Sequence, residues 1–300
     1  LEHSTKQESL FIGIPKECAF QEKRVSLVPE SVGLLVSNGH KVYVESNAGI
    51  SSSFTDKEYS DAGAKICLNV KEIYQADIIL KVAPPSLDEL DYFKHNQCLI
   101  SALQLKTQTA AYFKKLMDKK VTAVAFDFIK DETDIFPIVR SMGEIAGTSS
   151  ILIAAELLTT FSGGRGLLMG GIPGVKPTRV VIIGAGTVAE YAARSAIALG
   201  SLVSVFDNSV ARLRRIQSDL STPIATSILQ PKVLEKALKR ADVVIGALRA
   251  KEGRTPCVIS DEMVQKMKPK SVIVDVSIDQ GGCFETSELT THESPTFTKH

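Results

Sequence analysis

The stretch VIVDVSIDQGGCFE, residues 272–285, places two carboxylates, Asp275 and Asp279, in and just beyond a β-branched apolar run. An unpaired carboxylate in apolar surroundings is costly, so an acid here is either bonded in place or turned toward a ligand. Alternate strand residues face opposite sides, which puts Asp275 and Ser277 on one face and Val274 and Val276 on the other. Asp275 is therefore expected to be structural, its carboxylate taken up by nearby donors. Asp279 falls past the strand's end, where Gly281-Gly282 lets the chain turn. Lys81 ends another apolar run, DIILKV (77–82), at the C-terminal end where open α/β sheets place their ligands.

A third group sits at RVVIIGAGTVAEYAARSA, which reads as a strand running through Gly184-x-Gly186-x-x-Ala189 into a helix. Gly184 allows a tight turn, Gly186 a close backbone approach to a pyrophosphate, and Ala189 close packing of helix on strand. The helix N-terminus offers free N–H groups and a favourable dipole for phosphate. The next strand ends in Asp207, 23 residues after Gly184, where an acid would accept both ribose hydroxyls of an adenosine. Such an acid repels a 2′-phosphate, so NAD is expected over NADP, although Arg212, Arg214 and Arg215 follow closely. A glycine turn without a ligand, or an S-adenosylmethionine loop, are the alternatives at this site.

These groups need sheets to hold them. Short apolar runs at 10–14, 41–45, 77–82, 98–103 and 121–129 read as strands, alternating with helical patterns at PESVGLLVSNG, DKEYSDAGA and TQTAAYFKKLMDKK. A longer helix is expected over roughly 140–161. SGGRGLLMGGIPGVKP (162–177) follows, with six glycines and two prolines that cannot continue it. The alternation resumes at 179–184, 201–207, 241–248 and 271–277, with helices at TVAEYAARSAIALG, SVARLRRIQSDL and PKVLEKALKR. Such alternation argues parallel sheets covered on both faces. The fold class is α/β, with two domains, 1–138 and 139–300.

Composition narrows the function. The chain has 300 residues, 44% hydrophobic and 23% charged, with a formal net charge of +1. Charges of both signs are interspersed, which leaves no footprint for nucleic acid or an anionic membrane. The longest apolar segment, around Ile151 to Phe161, is broken by Glu156 and is too short to span a bilayer. The opening LEHSTKQESL has no apolar signal core, so the expected location is cytoplasmic. Five scattered cysteines with no CxxC pair suit a reducing compartment, and no metal site is expected.

With these residues in place, the sequence resembles the alanine dehydrogenase and pyridine nucleotide transhydrogenase family. The matching pieces are GIPKE…EKRVSLVPE (13–30), ILKVAPP (79–85), GGRGLLMGGIPGV (163–175), the GAGTVA loop and VDVSIDQGGCFETSELTTHESP (274–295). The resemblance implies two Rossmann-like parallel-sheet domains separated by a cleft, the substrate domain built from both chain ends. The family's chain would cross back soon after His300, so the C-terminal part of the substrate domain is expected to be missing.

Residue roles follow from the same resemblance. Arg24 matches the arginine that holds the substrate carboxylate, a task suited to a guanidinium; a solvated arginine is the plain alternative. Lys81 matches the lysine near the keto oxygen, and Asp279 the catalytic aspartate. The nucleotide contacts extend over Gly184, Ala185, Gly186, Thr187, Val188, Asp207, Arg212, Leu248, Val276, Ile278 and Asp279. The departure is at Gln104. Dehydrogenases of this family carry histidine there, and an amide can bond the keto oxygen but cannot trade a proton near neutral pH.

The expected activity is NAD-dependent, reversible oxidative deamination of L-alanine to pyruvate and ammonia, by a homo-oligomer, hexamer or dimer. Arg24 and Lys81 would orient the substrate and Asp279 would activate water, with Lys81 or Asp279 covering the proton traffic of the absent histidine. One rival is the NAD(H)-binding subunit of a proton-translocating transhydrogenase, for which a residue other than histidine at 104 is expected. Against it, FPIVRS lacks that branch's arginine–glutamine–serine–aspartate cluster, and Asp279 is retained. The other rival is an NAD(H)-binding protein without catalysis.

Overall fold

The computed structural model describes residues 9–105, 107–132, 135–220, 222–249 and 254–300. Residues 1–8, within the stretch read above as lacking a signal core, lie outside them. The chain divides into two compact units, Leu1–Ile138 and Val139–His300. The first runs β1 (Phe11–Ile14), α1 (Pro29–Ser37), β2 (Lys41–Glu45), α2 (Asp56–Asp61), β3 (Lys65–Cys67), α3 (Val70–Ile73), β4 (Ile78–Leu80), α4 (Glu89–Tyr92), β5 (Cys98–Ser101), α5 (Ala110–Asp118) and β6 (Thr122–Ala125). After α6 (Pro137–Leu157) come β7 (Arg179–Ile183), α7 (Thr187–Ala198), β8 (Leu202–Phe206), α8 (Val210–Asp219), β9 (Ala225–Ser227), α9 (Pro231–Leu238), β10 (Val243–Gly246), α10 (Asp261–Gln265) and β11 (Val272–Asp275).

Both sheets are parallel throughout, ordered β3-β2-β1-β4-β5-β6 and β11-β10-β7-β8-β9. In each, the chain leaves the first strand toward one edge and returns to start the other half, as doubly wound folds do. The expected α/β class with two parallel-sheet domains is what the molecule has. The switch points fall between β1 and β4 and between β7 and β10.

Alternation of side chains explains why each sheet is covered on both faces. Along β7, Val180 and Ile182 enter one core with Ala189, Ala192 and Val205, while Val181 and Ile183 enter another with Leu234, Leu238 and Ile259. The first unit divides likewise, Ile79 and Leu99 packing with Tyr74 and Phe93, and Ile12, Ile14 and Val44 with Val32 and Tyr59. Each such aliphatic side chain contributes about 1.5–3 kcal/mol by burial. Helix starts follow local chemistry: Pro29 opens α1, and a Thr55–Glu58 capping box opens α2.

Most boundaries differ from expectation by a few residues, β5 and β10 ending at Ser101 and Gly246 and α6 spanning Pro137–Leu157 in place of 140–161. β4 ends at Leu80, β6 at Ala125 before a 3-10 turn over Phe126–Phe128, and β11 at Asp275 instead of Ser277. In the last case the Asp275 carboxylate accepts a hydrogen bond from the Ser277 N–H at 3.0 Å, pulling the backbone out of the ladder. Among the described residues, no helix is long and apolar enough to cross a membrane.

Candidate functional site

In the second unit the candidate residues line the C-terminal ends of four neighbouring strands. Gly184 follows β7, Asp207 follows β8, Leu248 follows β10, and Val276 to Asp279 follow β11. Backbone bonds stitch these ends together: Gly184 N–H to Phe206 O at 2.7 Å, Ala247 N–H to Ile183 O at 2.8 Å, and Val276 N–H to Gly246 O at 2.9 Å. Gly184 has φ +115°, and a Cβ there would lie 2.4 Å from the Ala247 carbonyl oxygen, so no other residue fits. A Cβ on Gly186 would meet nothing within 4 Å. Gly186 caps α7 and has no side chain, so the first N–H groups of α7 receive no hydrogen bond from the cap residue. That cradle suits a phosphate.

Asp207 is buried, and both of its oxygens are already bonded. Oδ2 accepts from the Ala185 N–H at 2.8 Å and Oδ1 from the Ser209 N–H at 2.7 Å. A carboxylate has about four acceptor positions, so this anchoring leaves room for two hydroxyls. Arg212 Nη1 stands 3.8 Å from Oδ2, and Arg215 donates to the Ala185 carbonyl at 3.1 Å. The glycine loop and Asp207 are thus tied together by hydrogen bonds, while Ala189 packs into the core beneath them.

The two acids of the opening stretch part company. Asp275 accepts from the Ser277 N–H, the Cys283 N–H at 3.0 Å and the Ser287 hydroxyl at 2.7 Å, with the Cys283 thiol 3.7 Å away. Burial, followed by the Asp275 charge, pushes that thiol far above its ordinary range. Asp275 is the structural acid that strand alternation anticipated. Asp279 lies in the 3-10 turn Ile278–Gln280, exposed, with no hydrogen bond to its carboxylate among the described residues.

In the first unit, Lys81 directly follows β4 and is only 1% exposed. Its ammonium lies 2.8 Å from Glu89 Oε1 and 3.2 Å from Glu17 Oε2. Glu17 comes from the loop after β1, so the three groups straddle the switch point. Glu17 also accepts from the Val82 N–H at 2.6 Å, and Glu89 from the Ser86 N–H at 2.8 Å and the Tyr74 hydroxyl at 3.3 Å. Burial works against the Lys81 charge, but Glu17 and Glu89 together outweigh it and hold the ammonium above its ordinary range. Burial is the larger influence on Glu17, raising its carboxyl despite Lys81.

Arg24 is exposed and clasps Glu22, Nη2 to Oε2 at 2.6 Å and Nε to Oε1 at 2.8 Å. Those bonds lower the Glu22 carboxyl and raise the guanidinium. Gln104 is exposed in the turn after β5, at φ +47°, its carbonyl accepting from the Thr107 N–H at 2.9 Å. A glutamine in the left-handed region is uncommon, and such backbone clusters where function constrains it. Sequence reasoning missed Glu17, Glu22 and Glu89. A signal for Glu17 existed, because a lysine ending a buried strand needs a carboxylate and GIPKE supplies one after β1.

Two doubly wound sheets, one ending in a glycine loop, an open helix N-terminus and an anchored acid, define a two-unit α/β protein of the dinucleotide-binding class. Residues 13–146 match the family described as alanine dehydrogenase/PNT, N-terminal domain, and residues 150–300 its C-terminal domain. The chain belongs to the alanine dehydrogenase/pyridine nucleotide transhydrogenase family. It is 40% identical to an alanine dehydrogenase of Methanococcus maripaludis over 292 residues, 97% of this chain and 78% of that one. It is 39% identical to an alanine dehydrogenase of Bacillus subtilis over 97% of this chain and 77% of that one. A solved L-alanine dehydrogenase superposes with a TM-score of 0.91 at 38% identity, covering 96% of this chain and 80% of that one. A transhydrogenase from Sinorhizobium meliloti superposes at 0.82 with 26% identity, covering 92% of this chain and 81% of that one.

Proposed function

We propose that this protein is an NAD-dependent alanine dehydrogenase, interconverting L-alanine with pyruvate and ammonia. The observation that carries the reading is the likeness to alanine dehydrogenases over 97% of this chain, combined with a carboxylate, Asp279, just past the end of β11 and unbonded among the described residues. The open cradle at Gly186 and the anchored Asp207 fit a dinucleotide with unmodified ribose. Gly184, Ala185, Gly186, Thr187 and Val188 would hold the pyrophosphate, Asp207 and Arg212 the adenosine end, and Leu248, Val276, Ile278 and Asp279 the nicotinamide end. When bound, NAD supplies the acceptor for the hydride leaving Cα.

The chain's own residues do the rest. Arg24 takes the substrate carboxylate once Glu22 yields it, and Lys81 donates to the oxygen at the reacting carbon. Orientation of this kind removes much of the entropic barrier. With the amine neutral, its nitrogen lone pair forms the C=N bond as the hydride leaves Cα, giving an iminium. Water then adds its oxygen to the iminium carbon while Asp279 accepts a water proton, and the C=N electron pair moves to nitrogen. Asp279 returns that proton to nitrogen, the C–N bond breaks to release ammonia as the carbonyl forms, and the hydroxyl proton passes back to Asp279. The reading extends to a cytoplasmic location, for which the free thiols are the support, and to a homo-oligomer, which the family resemblance implies.

Purified protein assayed with alanine and NAD, and in reverse with pyruvate, ammonia and NADH, tests the assignment. Turnover in both directions is expected; intact NADH binding with no turnover would refute it. Gln104 favours one second reading, an NAD(H)-binding transhydrogenase component, which predicts binding without turnover and a large gain of alanine turnover in Gln104→His.

A further inference from the structure

Lys81 is the most deeply buried cation of the candidate residues, and its surroundings bear on where protons travel. Its ammonium has three N–H donors. Glu89 and Glu17 take two of them, and the third has no acceptor among the described residues. Both carboxylates are themselves fixed: Glu17 by the Val82 and Ala83 N–H groups, Glu89 by the Ser86 N–H and the Tyr74 hydroxyl. Releasing the Lys81 proton would leave two carboxylates facing each other around a neutral amine, out of water's reach. A like-charge pair without its cation is among the costliest buried arrangements.

In the wider shell the cation whose charge reaches Glu17 is Arg24, which is itself clasped to Glu22. Tyr74 follows α3 and Tyr112 lies on α5, both with phenols held protonated above their ordinary range, first by burial and then by Glu89. Cys18, on the Glu17 loop, is raised first by burial and then by Glu89. Glu45 of β2 bonds the Lys16 N–H. Ser101 lies beside Lys81 at the end of β5, the Lys81 N–H donating to Ile100 O at 3.0 Å, and its hydroxyl is buried without a hydrogen-bond partner.

We propose that Glu17 and Glu89 are positioning residues that lock Lys81 as an ammonium. Lys81 then serves the reaction as a fixed donor to the substrate oxygen and never as the group that takes up or releases the proton. The inference rests on the alanine dehydrogenase reading, and it narrows that reading's two proton carriers to Asp279 alone.

The test follows Lys81 directly, without turnover. Protein carrying lysine labelled with 13C at Cε and 15N at Nζ is titrated by NMR from pH 7 to 10, with the Lys81 signal assigned by Lys81→Met. The signal is expected to stay at its ammonium position in the native protein and to titrate within this range in Glu89→Gln and in Glu17→Gln. In the same variants kcat/KM for alanine should acquire an alkaline limb, falling about tenfold per pH unit above the new midpoint, which the native protein lacks. A merely structural role for the two glutamates would lower stability without creating that limb. Tyr74→Phe, which keeps both carboxylates, should behave as native in the titration. The proposal is overturned if Lys81 titrates below pH 9 in the native protein, or if both glutamine variants fold and show the native titration. A locked Lys81 in a protein without alanine turnover would uphold the lock and overturn the assignment of alanine.

Discussion

Replacing Asp275 and Asp279 separately by Asn makes the same chemical change four residues apart and should give opposite results. The Asp275 carboxylate accepts from Ser277 N–H, Cys283 N–H and the Ser287 hydroxyl, at 3.0, 3.0 and 2.7 Å. An amide keeps one carbonyl oxygen and turns an N–H2 toward whichever donors faced the other. At least one charge-assisted bond is lost, at about 1.5–3 kcal/mol, and a donor is left facing a donor. Discounting for the half-buried setting, the expected cost is about 2–4 kcal/mol. For a unit of this size that lowers Tm by about 4–16 °C. Asp279 makes no hydrogen bond through its carboxylate among the described residues, so Asp279→Asn should change stability by less than about 0.5 kcal/mol. It should abolish alanine turnover while leaving NADH binding near native. Thermal unfolding and steady-state assays on both variants suffice. A native-like melt for Asp275→Asn, or surviving turnover in Asp279→Asn, would refute the division of roles.

Two more outcomes are expected. Gly184→Ala combines φ +115° with a Cβ 2.4 Å from a backbone carbonyl, a cost of about 3 kcal/mol or more, whereas Gly186→Ala, in open space, should fold normally and lose NADH affinity; calorimetry of unfolding and binding checks the contrast. Tyr59 and Tyr112 have phenols pushed up to about 12, first by burial, with Glu58 and Glu89 respectively adding to it. Because the folded state holds these protons more tightly, their contribution is complete below pH 10 and is lost as pH rises through 12, and Tyr59→Phe should blunt that alkaline loss in urea melts taken at pH 9 and pH 11.

Elements were legible where periodicity and punctuation agreed. β2 and β7 alternate between two cores, α1 carries Pro29 at its start, and α7 begins where the glycine loop ends. β3, α3, α4, β9 and α10 were not anticipated: KIC and ATS lack the apolar run that marked strands as short as β4, and the three helices have only four or five residues, too few to show a helical period. The glycine turn after β7 was legible in residue type and spacing, because Gly184 answers a local backbone demand. The Lys81 cluster was legible only in part. Lys81 stood out as a charge ending a buried strand, but its partners come from the loop after β1 and from α4, and only the sheet order β1-β4 brings Glu17 beside it.

The acids among the candidates can now be sorted by what already holds them. Asp207 is tied to two backbone N–H groups of its own loop, and Asp275 to two N–H groups and a hydroxyl. Glu17 and Glu89 are spent on Lys81, and Glu22 on Arg24. A carboxylate so engaged accepts a further proton only by giving up bonds that hold the fold. Gln104, where the family's dehydrogenases carry histidine, has no ionisable group at all. Asp279 differs from every one of these: it is exposed, at a strand's C-terminal end, and bonded to nothing among the described residues. The proposal that Asp279 carries the proton therefore rests on two supports, the family resemblance that pointed to it and a carboxylate that no other described group already holds.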